Sequence, residues 1–170
     1  MNCFVALETR FMLNKGRPSE SLLTYEGFWK YFLEVFDSVT VIGRLFSNED
    51  YATEQVTGPG VNFLALPGFI GLNGYLKNCL RINKILKYSY SKESAYLLHL
   101  HGLVATLIWF NLRKNGHPFG VNVTGDPYDS FSPGAYNDPL RPMIRVLSAK
   151  LLRLQCKDAA VASYVTHRIL

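Results

Sequence analysis

Apolar residues along the chain fall into two alternating kinds of segment. Short and almost continuous runs, rich in β-branched or large aliphatic residues, predict buried strands: one beginning at Phe4–Leu7, then Val39–Phe46, Val61–Leu66, Ala95–Leu100, Phe119–Thr124 and Ala159–Thr166. Between them lie segments whose apolar residues recur every three or four positions, as one face of a helix requires. Tyr25–Phe36 places Phe28, Trp29, Phe32, Val35 and Phe36 at that spacing. Leu76–Tyr88 puts Leu76, Leu80, Ile82, Ile85 and Leu86 inward and its lysines outward. Gly102–Asn115 reads as a helix stopped by Gly116 and followed by Pro118, and Leu140–Asp158 as a long basic helix. Arg10–Ser21, Ser47–Gly60 and the segment from Gly125 to Pro139 are polar and turn-rich, and are expected to be loops.

Continuously apolar strands alternating with helices predict an α/β protein: a Rossmann-like open parallel sheet flanked by helices, formed as a single domain over residues 1–170. Such sheets bind ligands beyond the carboxyl ends of their strands, so the residues following each strand are the first candidates for chemistry. There are no internal repeats and no low-complexity tracts.

Composition narrows the class. Of 170 residues, 48% are hydrophobic and 18% charged, a balance that favours a folded core over disorder. The net charge of +5 is scattered along the chain rather than gathered into a stripe, which argues against a nucleic-acid partner and suits peripheral contact with an acidic membrane surface. Cys3, Cys79 and Cys156 are odd in number and far apart, with no metal or disulfide spacing, so a reducing cytoplasm is the expected setting. No signal peptide or membrane-spanning run is apparent. The chain stops just after its last strand, where a fragment of a longer protein would end.

The densest polar cluster after a strand is Gly125-Asp126-Pro127-Tyr128-Asp129, running on to Gly134. Gly125 allows a sharp turn and a close backbone approach to a ligand. Asp126 has two readings: a carboxylate in the crevice that accepts hydrogen bonds from hydroxyls or acts as a base, or the head of an Asx turn that bonds only to local backbone. His99 and His101 fall two apart on one strand and share a face. Without a third or fourth ligand in view they make no metal site, and His101, at the strand's end, is placed to contact a hydroxyl or shuttle a proton. Gly102 opens the next helix, whose free amides favour an anion. Arg44 lies in an otherwise apolar strand, where a charge needs a partner or an opening, and is expected to reach the crevice. Arg141, Arg145, Lys150 and Arg153 read as a solvated helix face. Neither G-x-G-x-x-G nor a Walker motif occurs, which counts against a nicotinamide enzyme or a kinase, and no G-x-S-x-G elbow is present.

Five segments, taken in order, resemble family-4 GT-B glycosyltransferases, particularly bacterial and cyanobacterial members that build polysaccharides or glycolipids. They are YEGFWKYFLEVFDSVTVIGR (25–44), VNFLALPGFIG (61–71), LLHLHG (97–102), HPFGVNVTGDPYDSFSPGA (117–135) and LRLQCKDAAVASYVTHRIL (152–170). The resemblance implies the N-terminal half of a GT-B fold, which binds the acceptor. A C-terminal half, absent from this sequence, would bind the nucleotide-sugar donor. It implies transfer of a sugar to a hydroxyl on a polysaccharide or lipid-linked acceptor, at the cytoplasmic face of the membrane. Asp126 and His101 are then the expected catalytic residues, and Gly125, Gly102, Arg44 and Tyr128 the acceptor-binding ones. This chain alone would hold no cofactor or metal and would be catalytically inactive. A non-catalytic α/β binding or regulatory module, or a non-functional truncated fragment, is the alternative.

Overall fold

In a computed structural model of the chain, residues 1–47, 54–134 and 139–164 are described. The chain divides into two compact units, Met1–Tyr96 and Leu97–Leu170.

The first unit is built on β1 (Asn2–Asn14), which is far longer than the apolar run at Phe4–Leu7 suggests. The polar loop expected from Arg10 to Ser21 is instead the rest of β1 and a hairpin to β2 (Arg17–Glu20), with Met12 opposite Ser19 and Asn14 opposite Arg17. Lys15 and Gly16 both have positive φ (47° and 75°), the conformation a two-residue hairpin turn demands. Phe11 is fully buried, which explains why the strand persists past the polar pair Glu8-Thr9. β3 (Ser38–Phe46) runs parallel to β1, and β5 (Val61–Pro67) runs parallel to β3. The β1–β3 register shifts between Ala6 and Arg10, a bulge that re-aims the following side chains. The stretch expected as a polar loop from Ser47 also contains a short strand, β4 (Glu54–Gln55), paired with β2; residues 48–53 lie outside the described part.

Tyr25–Phe36 is not one long helix. Turns lead into a 3-10 helix over Trp29–Glu34, in which Trp29 alone is buried, its indole N–H donating to the Leu23 carbonyl at 2.7 Å. Val35 points to solvent. α1 (Gly71–Ser89) overruns the expected Leu76–Tyr88 at both ends. Its inward residues are Ile82 and Leu86, whereas Leu76 and Leu80 face outward, the reverse of the expectation for those two.

The second unit begins inside β6 (Ala95–Leu100) and continues through α2 (Leu103–Lys114), β7 (Gly120–Val123), α3 (Pro127–Ser130), α4 (Arg141–Asp158) and β8 (Val161–Tyr164). β6, β7 and β8 are parallel: Leu97 lies beside Gly120 and Gly120 beside Val161, and at the other end Leu100 lies beside Val123 and Val123 beside Tyr164. Leu98, Leu100, Val121 and Val123 are buried, as are Val104, Ala105, Ile108, Trp109 and Leu112 of α2. α4 is fastened to α2 by polar pegs. Gln155, itself buried, donates to Thr106 Oγ1 at 3.0 Å, and the Trp109 indole N–H donates to Asp158 at 3.1 Å. Gly116, at φ 61°, ends α2 where the sequence places the stop. The molecule is therefore an α/β protein whose parallel strands alternate with helices in the Rossmann manner. No helix among the described residues is long and apolar enough to cross a membrane.

Candidate functional site

Parallel strands deliver their loops to one end, and the carboxyl ends of β6 and β7 bring together residues that are 24 apart in sequence. Both the backbone N–H and the hydroxyl of Thr124 donate to the Leu100 carbonyl, at 3.2 and 2.9 Å, fixing the two strand ends side by side. His101 and Gly125 follow directly. His101 lies just past the end of β6 rather than on it, half-buried, with its ring edge-on to Phe131 at 6.1 Å between centroids. A Cβ placed on Gly125 would lie 3.7 Å from His101 Cε1. Burial pushes the His101 pKa below the ordinary imidazole value, while a hydrogen bond to the Gly125 backbone and the charge of Asp126 push it back up. His101 Nδ1 is buried and has no hydrogen-bond partner. His99, within the strand, is pushed down by burial alone.

Asp126 is the N-cap of α3. Its Oδ1 accepts from the Tyr128 backbone N–H at 2.8 Å, and Pro127 occupies the first helical position. The Asx-type bond weighed for this residue is thus present. The carboxylate is nevertheless exposed and borders a cavity, so the cap and a ligand role are compatible. Gly125 has ordinary negative φ and room for a Cβ, so the geometry makes no demand for glycine there. Tyr128 is covered on one ring face by Arg145, whose guanidinium carbon sits 3.4 Å from the ring centroid and whose Nε donates to the Tyr128 carbonyl at 2.6 Å. Arg145, which the sequence presents only as one of several helix charges, therefore pins α3 to α4. No spacing rule could have found a partner 17 residues away across a loop.

The cavity has a volume of about 440 Å³ and is lined by Val123, Gly125, Asp126, Tyr128, Arg153 and Tyr164 together with Ala149 and Leu152 of α4. Its wall combines a carboxylate, a guanidinium and two phenol rings, the mixture of acceptors, donors and flat apolar faces that suits a hydroxylated ligand. His101 is not in the wall and meets it only through Gly125. Gly102 is the N-cap of α2 in extended conformation; its carbonyl accepts from the N–H and hydroxyl of Thr106 at 3.1 and 2.7 Å.

Arg44 belongs to the first unit, where its charge is already occupied. One terminal nitrogen donates to the Phe69 carbonyl at 3.1 Å. The other donates to the Glu8 carbonyl and lies 3.4 Å from the Glu8 carboxylate. The guanidinium also stacks on the Phe69 ring at 5.0 Å, leaving the side chain 12% exposed. Burial lowers its pKa, and Glu8 opposes that shift. A second cavity, of about 430 Å³, lies in this unit against Lys15, Ser19, Tyr25, Glu26 and Glu54, and contains none of the candidate residues. Among the described residues, no three His, Cys, Asp or Glu side chains gather in a way that could hold a metal ion.

No protein-family model and no curated protein matches the chain. One solved structure aligns with it, that of a candidate phosphofructokinase from Staphylococcus aureus, at 11% identity and a TM-score of 0.34, covering 96% of this chain and 71% of that one. A likeness that slight carries no residue role across.

Proposed function

We propose that this chain is the acceptor-binding half of a glycosyltransferase that moves a sugar from a nucleotide-sugar to a hydroxyl of a polysaccharide or lipid-linked acceptor. The observation that carries the reading is the junction of His101, Gly125 and Asp126 at the carboxyl ends of adjacent parallel strands, next to a cavity of carboxylate, guanidinium and phenol groups. In this role Asp126 accepts the hydrogen bond of the acceptor hydroxyl and takes up its proton as the hydroxyl attacks. His101, whose pKa burial lowers and which bonds to the Gly125 backbone, holds the loop that carries that carboxylate in place. Tyr128 and Tyr164 offer ring faces to the sugar, and the amides around Gly102 and Gly125 offer donors. The diphosphate of the donor belongs to a second, C-terminal domain, and the expected setting is the cytoplasmic side of a membrane.

Exposed apolar residues along α4 and β8, among them Met143, Leu147, Val161 and Tyr164, support the pairing with a second domain, since a face of this kind is ordinarily covered. The rival reading, a binding module without catalysis, draws on the Asp126 cap, which by itself gives that residue a structural task.

The test is a screen of nucleotide-sugars with this chain joined to a following α/β domain. Asp126→Asn keeps an oxygen for the Tyr128 cap and removes the base, and is expected to lower turnover about 100-fold or more. Unchanged turnover would reduce Asp126 to its cap. Robust transfer by the 170-residue chain alone would overturn the division of labour.

A further inference from the structure

α1 carries four cations, Lys77, Arg81, Lys84 and Lys87, and no acidic residue from Gly71 to Ser89. All four are exposed, and none forms an ion pair among the described residues. The ordinary solvated helix face intersperses Glu with Lys at four-residue spacing, which gains favourable pairs and avoids repulsion between like charges. α1 has none of that compensation. Its outer face is also unusually apolar for such a charged helix: Leu76, Leu80 and Tyr88 are 56%, 84% and 78% exposed. Residues 76, 80, 84 and 88 follow one another at intervals of four and form one ridge, flanked by Lys77, Arg81 and Lys87. Ile82 and Leu86 anchor the opposite face in the core, so the ridge is held outward by the fold. At about 1.5 Å per residue the helix presents this strip over roughly 18 Å.

We propose that the outer ridge of α1 is a binding surface for an anionic lipid bilayer. Two features of the ridge act together there. The lysines and arginine lie among lipid phosphates and carboxylates, each cation contributing on its own because none is paired among the described residues. Leu76 and Leu80 enter the boundary between headgroups and acyl chains, and the Tyr88 ring lies at headgroup level with its hydroxyl in water. A polynucleotide would use the cations but gain little from bare leucines, which is why lipid is the better match in chemistry. Binding at α1 is independent of what the cavity of the second unit takes.

Vesicle co-sedimentation of the whole chain tests this at about 0.1 M salt, where charge screening is moderate. The chain is expected to bind vesicles of phosphatidylcholine with about one-third phosphatidylserine, to leave vesicles of phosphatidylcholine alone, and to dissociate at high salt. Replacing Lys84 and Lys87 by Gln lowers partitioning about 25-fold, at roughly fivefold per cation, while the same change at Lys114 and Lys157 of other helices leaves it within about twofold. Leu80→Ser lowers it about fivefold without altering the melting temperature, since the side chain touches little within the protein. Leu80→Trp gives a direct reporter, whose emission moves to shorter wavelength on anionic vesicles. The proposal falls if neutral and anionic vesicles bind alike, if the Lys84 and Lys87 changes leave partitioning unchanged, or if single-stranded RNA binds and vesicles do not.

Discussion

Arg44 and His101 look alike in the sequence: each is a basic side chain set in or beside an apolar strand. The fold treats them in opposite ways. Arg44, in the first unit, has both terminal nitrogens engaged by the protein, bonded to the carbonyls of Glu8 and Phe69, paired with the Glu8 carboxylate and stacked on Phe69, while its Nε is buried without a partner. His101, in the second unit, meets the Gly125 backbone and the charge of Asp126, but its Nδ1 is buried without a partner beside a loop that borders a cavity. A buried cation whose terminal nitrogens are taken up by carbonyls and a carboxylate holds structure together; a ring left partly open just past a strand's carboxyl end is available to a ligand. Position relative to the strand's end separates the two.

The largest expected effect comes from breaking the closed site. Arg44→Met removes two hydrogen bonds to carbonyls and the ion pair with the Glu8 carboxylate, itself only 27% exposed. Urea unfolding should show a loss of about 3 kcal/mol. Arg44→Lys should recover only part of it, because an ammonium cannot fork between two carbonyls and a carboxylate while stacking on a ring. A loss below about 1 kcal/mol for Arg44→Met would mean that these contacts are incidental, and would return Arg44 to the candidate ligand-binding residues.

Two glycines extend the same contrast. A Cβ on Gly43 would fall 2.3 Å from Cε2 of Phe11, which is fully buried and held edge-on by Phe63 at 4.9 Å between ring centroids. Phe11 is buried on all sides and cannot retreat without displacing its neighbours, so Gly43→Ala should cost about 1–3 kcal/mol. Gly125→Ala introduces only an ordinary contact at 3.7 Å and should change stability by less than about 0.5 kcal/mol. If thermal melts show the two substitutions costing the same, the second unit's loop is packed as tightly as the first unit's core, and the open character assigned to it is wrong.

Much of this architecture is legible from the chain. A β-branched run marks β3, an apolar run marks β5, and Gly116 marks the end of α2, because strand burial and the left-handed helix stop each leave a local signature. Failures occur where distant residues decide. β1 continues through Glu8-Thr9 because β3 offers it a partner and Phe11 a place in the core, neither of which is visible locally. Leu76 and Leu80 look like core residues on helical spacing, yet α1 turns Ile82 and Leu86 inward instead. At the candidate site, the sequence singles out His101, Gly125 and Asp126, since strand ends can be located. It misses the hold of Arg145 on Tyr128, and gives no sign that Glu8 and Phe69 already occupy Arg44.

A smaller effect tests how far Asp126 belongs to structure. Asp126→Ala deletes the cap on Tyr128 N–H, which in a short exposed helix is worth about 1 kcal/mol, whereas Asp126→Asn retains an accepting oxygen and should cost less. Hydrogen exchange at Tyr128 and Asp129 reads this locally: faster exchange in the Ala variant and near-native exchange in the Asn variant. Equal exchange in both would remove the cap from the account of this loop and leave the carboxylate to the ligand alone.

The most subtle prediction concerns protons. Burial depresses the pKa of both His99 and His101, so the folded chain binds fewer protons than the unfolded one as pH falls through the ordinary histidine range. Stability therefore rises with pH across that window, is complete above it, and is lost on acidification, because the unfolded imidazoles take up protons that the folded ones refuse. The two residues should share that loss unequally. At His101 the Gly125 backbone bond and the Asp126 charge oppose the effect of burial, and at His99 nothing does. Melting temperatures at pH 7.5 and 5.5 should thus differ less in His99→Gln than in the native chain, with His101→Gln in between. Asp126→Asn removes the charge that supports a protonated His101, and should deepen the acid loss slightly. An acid sensitivity carried mainly by His101 would mean that this ring is the more tightly enclosed of the two, and that the strand end is closed in the manner of Arg44.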